Sequence, residues 1–343
     1  MAGVFEQFDR YGAWRKEVGL RLKLLVDWLL EVDLLNAAAK ERAERMLEQL
    51  RADRIVVAFV AEFSRGKSEL INAVFFSGYG RRIMPASAGR TTMCPTELGY
   101  DDRLSPSLRL LPIDTHLQSR TLREWRSDTE AWTHLDLDVN DPAQLAGAMA
   151  RVSETVLVSQ EAARSLGFWN DDRPKDNPPL SEDGRVEVPR WRHALINMAH
   201  PLLMQGLVVL DTPGLNAIGA EPELTMHLIP QAHALVFVLA ADAGVTKSDL
   251  VIWRDHLAPL SEGPEMRLAV LNKIDTLWDG LSTPAEIQQQ IERQRQQAAR
   301  ILELDPSRVL ALSAQKGLLA KVRSDRELLE QSQLLPFEQV LGQ

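Results

Sequence analysis

The stretch VAEFSRGKSELINAVF, residues 60–75, contains the residues whose types and spacing most directly suggest chemistry. A signature for phosphate binding consists of a glycine, four free positions, and then Gly-Lys-Ser or Gly-Lys-Thr. Gly66, Lys67 and Ser68 form its second half, and Ala61 stands at its opening position. Since alanine adds only a methyl group to glycine, we expect a loop with relaxed dihedral angles to tolerate it, at some cost in affinity.

The signature assigns a role to each part of such a loop. Backbone N–H groups around Phe63–Ser68, at a helix N-terminus, surround the α- and β-phosphates. Lys67 reaches the β- and γ-phosphates, and the Ser68 hydroxyl binds Mg²⁺. The predicted nucleotide-binding residues of this loop are Glu62, Phe63, Ser64, Arg65, Gly66, Lys67, Ser68 and Glu69.

A second motif, DTPGLN at Asp211–Asn216, follows directly after the apolar run LVVL. A carboxylate at the C-terminal end of a strand lies where an open α/β sheet binds its ligand. We therefore expect Asp211 to hold Mg²⁺ through water and the Gly214 N–H to bind the γ-phosphate. Loss of that hydrogen bond on hydrolysis would switch the loop.

A third motif, LNKID at Leu271–Asp275, selects the base. The Asp275 carboxylate can accept hydrogen bonds from N1–H and the 2-amino group of guanine. Adenine would leave this buried charge unpaired, at a cost of roughly several kcal/mol. Asn272 would hold the loop and approach the N7/O6 edge of guanine, while the stem of Lys273 would cover the ring. The three motifs together predict GTP rather than ATP.

Two weaker signals complete the predicted site. Ser313 and Ala314, after the run VLAL, suit a backbone contact to guanine O6. Residues 89–98, GRTTMCPTEL, form a polar segment that ends in a predicted strand. Thr92, with Thr91 as the close alternative, would complete the Mg²⁺ shell and sense the γ-phosphate. The predicted metal ligands are therefore Ser68, Thr92 and Asp211.

Short apolar runs predict the buried strands that must position these motifs. The runs are Ile55–Val60, Leu108–Ile113, Leu207–Leu210, Leu235–Ala240, Leu268–Leu271 and Val309–Leu312. Helical patterns separate several of them, at Lys67–Phe76, Lys247–His256 and Ala285–Leu302. Buried strands that alternate with helices indicate an α/β fold, with a mostly parallel central sheet flanked by helices.

The remaining regions are predicted from periodicity and composition. From residue 11 to residue 51, apolar residues recur at helical spacing, which indicates two amphipathic helices that meet near Val32–Asp33. The other predictions are a largely helical Thr121–Gln160, a surface loop Gly167–Pro189 with a short strand at Arg185–Val188, and a helical, polar stretch from Val322 onward.

Composition excludes several classes of protein. The 343 residues carry a net charge of −9, which argues against a general nucleic-acid binder. Cys94 is the single cysteine, so an internal disulfide framework is excluded, and we interpret Cys94 as an inert small side chain in a reducing cytosol. No run approaches the roughly 18 consecutive apolar residues needed to cross a bilayer. We therefore expect a soluble, cytoplasmic chain that works at a membrane only peripherally or through sequence not present here.

The motifs, taken in order, resemble those of one protein family. EFSRGKSELINA, TTMCPTEL, DTPGLN, NKID and LSA are similar to the GTPase domain of bacterial dynamin-like proteins, distant relatives of dynamin and mitofusin. The resemblance covers about Arg54 to Lys321, and the wide gap between Thr92 and Asp211 fits an enlarged, dynamin-type P-loop domain. It implies an enzyme that hydrolyses GTP to GDP and phosphate with Mg²⁺.

The resemblance also implies partners and a domain organisation. Dynamin-like GTPases pair through their nucleotide faces, which stimulates hydrolysis, and helices from both ends of the domain form a bundle that relays the nucleotide state. This implies a homodimer or a partner dynamin-like protein, placed peripherally at the inner membrane. The expected parts are bundle helices in residues 1–53, a GTPase domain in 54–321 and a further bundle segment in 322–343. A full stalk and membrane-binding tip do not appear in these residues, so we do not expect this chain alone to remodel membranes.

Carried over by position, the resemblance implies a catalytic set of Ser64, Arg65, Lys67 and Thr92. Ser64 would lie beside the β–γ bridging oxygen. Phe63 occupies the position where dynamin uses glutamine to orient the attacking water, so that role does not transfer and the water-positioning residue stays unassigned. Arg65 would stabilise transition-state charge, either in cis or across a dimer. The alternative for Arg65 is a solvated surface charge.

Three functions compete at this point. The leading one is a dynamin-type GTP hydrolase whose self-assembly is coupled to turnover. The second is a slow nucleotide-gated switch that recruits a partner in its GTP state, which Ala61 and Phe63 favour. The third, a translation- or ribosome-associated GTPase, is disfavoured by the acidic balance and the absence of a basic tail.

Overall fold

A computed structural model gives the architecture of the chain. It describes residues 2–32, 34, 39–40, 42–43, 46–47, 54–85, 94–172, 174, 177–214, 228–258, 267–279 and 281–342. The strands are β1 Ile55–Ala61, β2 Thr96–Gly99, β3 Ser107–Pro112, β4 Thr133–Asp136, β5 Thr155–Val158, β6 Val186–Pro189, β7 Trp191–Asn197, β8 Leu207–Asp211, β9 Ala234–Ala240, β10 Arg267–Asn272 and β11 Val309–Ala311. The α-helices are α1 Ala2–Glu31, α2 Lys67–Phe75, α3 Leu122–Arg126, α4 Pro142–Ala150, α5 Gln160–Ser165, α6 Pro201–Met204, α7 Lys247–Val251, α8 Pro284–Leu302, α9 Ala314–Arg323, α10 Arg326–Ser332 and α11 Leu334–Leu341.

Within the described residues, the central sheet has nine strands in the order β11-β10-β9-β1-β8-β2-β7-β3-β4. The half from β11 to β8 is parallel throughout. In the other half, β2 and β7 are parallel, whereas β2 runs antiparallel to β8, and β3 runs antiparallel to β7 and β4. This confirms the predicted α/β fold with mostly parallel strands and adds a mixed half to it.

The parallel half brings five loops to one edge of the sheet. The carboxyl ends of β1, β8, β9, β10 and β11 all point the same way, and ligands of open α/β sheets bind outside such ends. The loops that follow these strands include every motif singled out in the sequence, apart from the segment before β2.

The core lies on both faces of the sheet, as uninterrupted apolar strands require. Phe59 and its neighbours on one face pack with apolar residues of α2, α9 and α11. Phe237 on the other face stacks on Trp253, with ring centroids 5.5 Å apart, in a second cluster that includes residues of α8. Burial of large apolar side chains on both faces fixes the strands, and hence the loops at their carboxyl ends.

The six predicted strands and the three predicted helices are all present, with ends displaced by one to several residues. The start of α8 has a clear local cause: the Thr283 hydroxyl accepts from the Glu286 N–H, and the Glu286 carboxylate accepts from the Thr283 N–H at 2.8 Å. The predicted helix Lys247–His256 is divided into α7 and a π-helical segment, Ile252–Leu257.

The prediction that Thr121–Gln160 is largely helical is wrong in two places. This region contains β4, at the edge of the central sheet, and β5, which pairs with β6 in a separate two-stranded sheet. Both strands are four residues long, and much of each is exposed, so neither produces a buried apolar run. The predicted strand at Arg185–Val188 is present as β6, displaced by one residue.

The N-terminal residues form one long helix, α1, which ends beside the predicted junction near Val32–Asp33. Most of the second predicted helix lies outside the described residues. In the predicted apolar stripe of α1, Trp14 is 57% and Leu25 50% exposed, whereas Val18, Leu22 and Leu29 are half-buried. Among the described residues, no helix is long and apolar enough to cross a membrane.

The C-terminal helices pack on the sheet. Leu334 and Phe337 of α11 are fully buried in the main core, and the Phe337 ring meets Phe59 of β1 edge-on with centroids 6.3 Å apart. Lys321 of α9 donates to the Ala73 carbonyl of α2 at 2.9 Å. The expected domain boundary at residue 321 falls inside α9, and α11, which lies beyond it, contacts the strand that leads into the phosphate loop.

Candidate nucleotide site

The phosphate loop connects β1 to α2, as its signature requires. Ser64 and Gly66 both have positive φ, of 64° and 83°, so two residues of this short loop adopt left-handed conformations. Alternation of this kind turns successive backbone N–H groups toward one side, which is the geometry of an anion-binding nest. Ala61 is the last residue of β1, and its side chain is buried in the main apolar cluster. Its methyl group therefore contributes to the core, and the expected tolerance of the phosphate loop for alanine stays a prediction.

Asn272 joins the phosphate loop to the base-selecting loop. Its Nδ2 donates to the backbone carbonyls of Arg65, at 3.0 Å, and Gly66, at 3.3 Å. Its Oδ1 accepts from the Ala314 N–H at 2.9 Å. One buried side chain thus connects the loop after β1, the end of β10 and the start of α9.

Lys67, Ser68 and Asp211 are buried together at the carboxyl ends of β1 and β8. Phe59 of β1 is paired with Asp211 of β8 in the ladder, and Lys67 Nζ contacts Asp211 Oδ1. The two side chains are only 8% and 3% exposed, so each charge depends on a partner. The lysine predicted to reach phosphate and the carboxylate predicted to hold Mg²⁺ are therefore neighbours.

The Asp-Thr-Pro-Gly loop contacts the phosphate loop. A β-carbon at Gly214 would lie 3.2 Å from the backbone nitrogen of Phe63, so the two loops approach closely here. Thr212 is fully buried, and its hydroxyl donates to the Phe59 carbonyl at 2.9 Å, which fixes the loop against β1. The predicted Gly214 hydrogen bond to the γ-phosphate stays a prediction.

The base-selecting loop turns at Lys273, which has φ +65°, and presents Asp275 to the start of α9. The Ser313 hydroxyl donates to Asp275 Oδ1 at 2.6 Å. Ser313 also caps α9 by accepting from the Lys316 N–H, and its own N–H donates to the Ser332 carbonyl. In this conformation the Ser313 and Ala314 N–H groups donate within the protein, so their predicted contact to guanine O6 stays a prediction.

Arg65 is held by other side chains of the protein. Its guanidinium donates to both oxygens of Asp249, at 3.3 and 3.0 Å, and contacts the Glu62 carboxylate. The side chain is 12% exposed, so the interpretation of Arg65 as a solvated surface charge is wrong. A direct catalytic role for Arg65, in cis or in trans, stays a prediction.

The other predicted residues of the loop differ in their surroundings. The carboxylate of Glu69 accepts two hydrogen bonds from Arg82, at 2.7 and 2.6 Å, so its charge is already paired. Phe63 is 49% exposed. Thr91 and Thr92 lie outside the described residues. Strand β2 follows them in the sequence, and its first residue, Thr96, is paired with Asp211, the predicted metal ligand.

Two residues near the loop were missed from the sequence: Thr246 and Asp249. They form a capping box at the start of α7, in which the Asp249 carboxylate accepts from the Thr246 N–H at 3.0 Å. The spacing Thr-x-x-Asp in VTKSDL signals such a box. Nothing in that spacing points to an arginine 184 residues away.

Cys94 is buried as well. Burial raises the pKa of the Cys94 thiol to about 12, so the group is neutral near pH 7 and agrees with the inert interpretation.

A comparison with protein families decides the identity of this arrangement. The family described as the dynamin family matches residues 57–274, more than half of the chain. The chain belongs to the dynamin family. Its matched residues run from Val57 in β1 to Ile274 in the base-selecting loop.

Two curated relatives of this dynamin-family chain are bacterial proteins. An uncharacterized protein of the xynA 3′ region of Caldicellulosiruptor sp. (strain Rt8B.4) is 26% identical over 309 residues, which cover 90% of this chain and 61% of that protein. The bacterial dynamin-like protein of Nostoc punctiforme is 25% identical over 117 residues, which cover 34% of this chain and 16% of that protein.

Solved structures of bacterial dynamins have a similar fold. An oligomerised bacterial dynamin pair, described as providing a mechanism for long-range sensing and tethering of membranes, matches with a TM-score of 0.50 and 16% identity over 95% of this chain and 43% of its own. The bacterial dynamin GTPase LeoA from ETEC matches with a TM-score of 0.50 and 13% identity over 98% of this chain and 44% of its own. The dynamin-family chain therefore spans less than two thirds of each of these four relatives.

Proposed function

We propose that this dynamin-family chain binds GTP with Mg²⁺ at the carboxyl ends of β1, β8 and β10 and hydrolyses it to GDP and phosphate. The observation that carries the proposal is the junction at Asn272. Because its side chain contacts both the phosphate loop and the start of α9, the motifs for phosphate and for base belong to one site. Asp275, oriented by the Ser313 hydroxyl, supplies the preference for guanine.

The donor set fits Mg²⁺. Ser68 at the start of α2 and Asp211 at the end of β8 offer a hydroxyl and a carboxylate, the hard oxygen ligands that this ion prefers, and both are buried. Ser68 and Asp211 would hold the ion there, and it would supply positive charge next to the phosphates. We propose Thr92, outside the described residues, as a third ligand.

Lys67 changes partners on binding in this scheme. In the present conformation Lys67 Nζ contacts Asp211. The β- and γ-phosphates would attract Lys67 away from Asp211 and leave the carboxylate available to the metal shell. The phosphate loop N–H groups would bind the α- and β-phosphates, and Ser64 would lie beside the β–γ bridging oxygen.

Self-association through the nucleotide faces is the second part of the proposal. Phe63 is 49% exposed at the position where dynamin uses glutamine, and a phenyl ring has no group that can orient a water molecule. A second copy, or a partner dynamin-like protein, would cover this apolar side chain and exclude bulk water from the γ-phosphate. An oligomerised bacterial dynamin pair of similar fold supports self-association as such.

The membrane is the third part of the proposal. We place the chain in the cytoplasm, with peripheral contact at the inner membrane through its assembly. The structure of similar fold that is described for sensing and tethering of membranes supports contact with a membrane.

A slow nucleotide-gated switch is the second candidate function. Phe63 favours it, because a site without a water-orienting side chain would hydrolyse GTP slowly and persist in its GTP state. Recruitment of a partner in that state would then be the output.

Two measurements test these functions. Calorimetry would measure the affinities for GTP and for ATP, each with and without Mg²⁺. Of the four combinations, only GTP together with Mg²⁺ should bind tightly. Equal affinity for both nucleotides would overturn the proposal. Turnover per molecule should rise with protein concentration if pairing stimulates hydrolysis. A slow rate that is independent of concentration would favour the switch.

A further inference from the structure

The guanidinium of Arg65 lies against the start of α7. Arg65 Nε donates to Asp249 Oδ1 at 3.3 Å, and Arg65 Nη2 donates to Asp249 Oδ2 at 3.0 Å. Nη2 also donates to Thr246 Oγ1 at 3.1 Å. Two parallel hydrogen bonds between a guanidinium and a carboxylate fix both position and direction, which one charge contact does not do.

Asp249 is a rigid acceptor for these bonds. Its side chain is 0% exposed, and its Oδ2 also accepts from the Thr246 N–H at 3.0 Å as part of the capping box. A buried carboxylate loses its hydration and depends on every donor that replaces it. The capping box sets the orientation of the carboxylate, and Arg65 supplies the positive charge that balances it.

A second side chain, that of Asn272, holds the phosphate loop at Arg65 and Gly66. Asn272 Nδ2 donates to the carbonyls of Arg65 and Gly66, while Asp249 holds the Arg65 side chain. Next to Arg65, Ser64 has φ +64°, a conformation that a residue other than glycine keeps only when its surroundings impose it.

From this arrangement we infer that Asp249 is a positioning residue for the phosphate loop, acting through Arg65. Arg65 is then the loop's anchor to α7 and not a group that reaches the transition state. The inference rests on the proposed function, in which this loop binds the phosphates of GTP. It adds a residue of α7, outside all the nucleotide-binding motifs, to the determinants of nucleotide affinity.

The two roles for Arg65 predict different kinetics. An anchor keeps the conformation of the loop in every nucleotide state, so its loss weakens the binding of GDP and of GTP alike. It should therefore raise KM more than it lowers kcat. A group that stabilises transition-state charge affects kcat, and freeing it from Asp249 would leave the rate unchanged or raise it. The variants Arg65→Ala, Asp249→Asn and the double variant separate the two roles.

The experiment measures the Kd of the full chain for N-methylanthraniloyl-GDP with Mg²⁺, and kcat and KM for GTP. Each single variant should raise Kd by about tenfold, equivalent to about 1.4 kcal/mol. The double variant should also raise Kd by about tenfold and not by about a hundredfold, because both substitutions remove the same interaction between Arg65 and Asp249. Arg65→Lys keeps the charge without the fork and should fall between Arg65→Ala and the parent chain.

A matched control removes the same charge elsewhere. Asp171→Asn breaks the exposed pair with Arg164, which has hydrogen bonds of 2.7 and 3.1 Å, and should leave Kd within about twofold, because exposed pairs contribute little. Circular dichroism and thermal unfolding check that each variant is folded. If Asp249→Asn does not fold, the affinities of Arg65→Ala and Arg65→Lys test the inference. Substitution of Arg65 disturbs the core less, because its side chain is 12% exposed and that of Asp249 is 0% exposed.

Three results in nucleotide affinity would overturn the inference. They are unchanged GDP affinity in Arg65→Ala, unchanged affinity in a folded Asp249→Asn, and multiplicative losses in the double variant. A fall in kcat confined to Arg65 variants, with KM preserved, would do the same. Failure of the parent chain to bind any guanine nucleotide is a separate result, which would overturn the proposed function itself.

Discussion

Asn272 and Gly66 meet so closely that only glycine fits. A β-carbon at Gly66 would lie 2.5 Å from Asn272 Nδ2, the nitrogen that donates to the Arg65 and Gly66 carbonyls. Gly66 also has φ +83°, which L side chains rarely adopt. The glycine is therefore required twice, by conformation and by the side chain that joins the phosphate and base loops.

Gly66→Ala should impair the nucleotide site without unfolding the domain. The left-handed conformation and the contact with Asn272 together should cost about 2 kcal/mol or more, which corresponds to at least tenfold weaker binding of GTP. Calorimetry would measure the affinity, with thermal unfolding as the check on folding. Gly78→Ala is the matched control, since a β-carbon there meets nothing within 4 Å and should leave affinity unchanged. Equal affinities for the two variants would contradict the requirement.

Asp275→Asn should change the preferred base. Guanine presents two donors to the carboxylate, whereas xanthine has a carbonyl oxygen in place of the 2-amino group and so matches an amide, which donates and accepts. Binding of GTP should weaken by about fivefold to 150-fold, and XTP should bind more tightly than GTP, because an unpaired buried group costs about 1–3 kcal/mol. Competition binding with GTP and XTP measures the change.

The control for this substitution lies in the same loop. Asp279 is exposed and accepts from the Leu281 and Ser282 N–H groups, so Asp279→Asn removes a charge without touching the base-selecting position. It should keep the preference for GTP. A preference for GTP retained by Asp275→Asn would sink the assignment of Asp275.

The strands that position the site could be predicted because their own residues carry the signal. Runs such as Ile55–Ala61 are short, β-branched and buried on both faces, so burial and propensity agree. By contrast, β4 and β5 are four residues long and half exposed, and they become strands because partners in other parts of the chain pair with them. A pattern within forty residues does not contain that information.

The residues of the site likewise fall into those whose signal is local in the sequence and those whose contacts depend on the fold. Motif residues could be predicted because loop and ligand chemistry fix their types at short spacing. The link from Arg65 to Asp249 and the orientation of Asp275 by Ser313 join residues 184 and 38 positions apart, so they depend on the completed fold. Arg65 is an example. From the sequence, its charge indicates contact either with solvent or with the phosphates of a ligand, whereas in the fold it pairs with the buried carboxylate of Asp249.

Stability should depend on His200 below neutral pH. Burial, and then the nearby charge of Lys321, lower the pKa of His200 from 6.5 to about 4. Between these values the unfolded chain binds a proton that the folded chain does not, so the free energy of unfolding falls as pH falls through this window. The loss from this group should reach about 2 kcal/mol after allowance for partial solvent contact.

His200→Asn isolates this contribution. His200 Nδ1 accepts from the Leu202 N–H at the start of α6, and asparagine can supply the same cap without titrating. Denaturant unfolding at several pH values from 7.5 to 4.5 should give a shallower pH dependence for the variant. Parallel curves for the two proteins would exclude His200 as the titrating group.

Removing the Phe337 side chain should destabilise the GTPase core itself. Phe337 is fully buried and meets Phe59 of β1, the strand that ends at the phosphate loop, so the cavity left by Phe337→Ala should cost about 3–5 kcal/mol. Leu335→Ala, on a partly exposed side chain of the same helix, should cost less than about 1 kcal/mol. Denaturant unfolding followed by fluorescence, together with GTP affinity at low denaturant, measures both effects. If α11 belonged to a bundle that moves independently of the domain, Phe337→Ala would leave the main unfolding transition and the nucleotide affinity where they were.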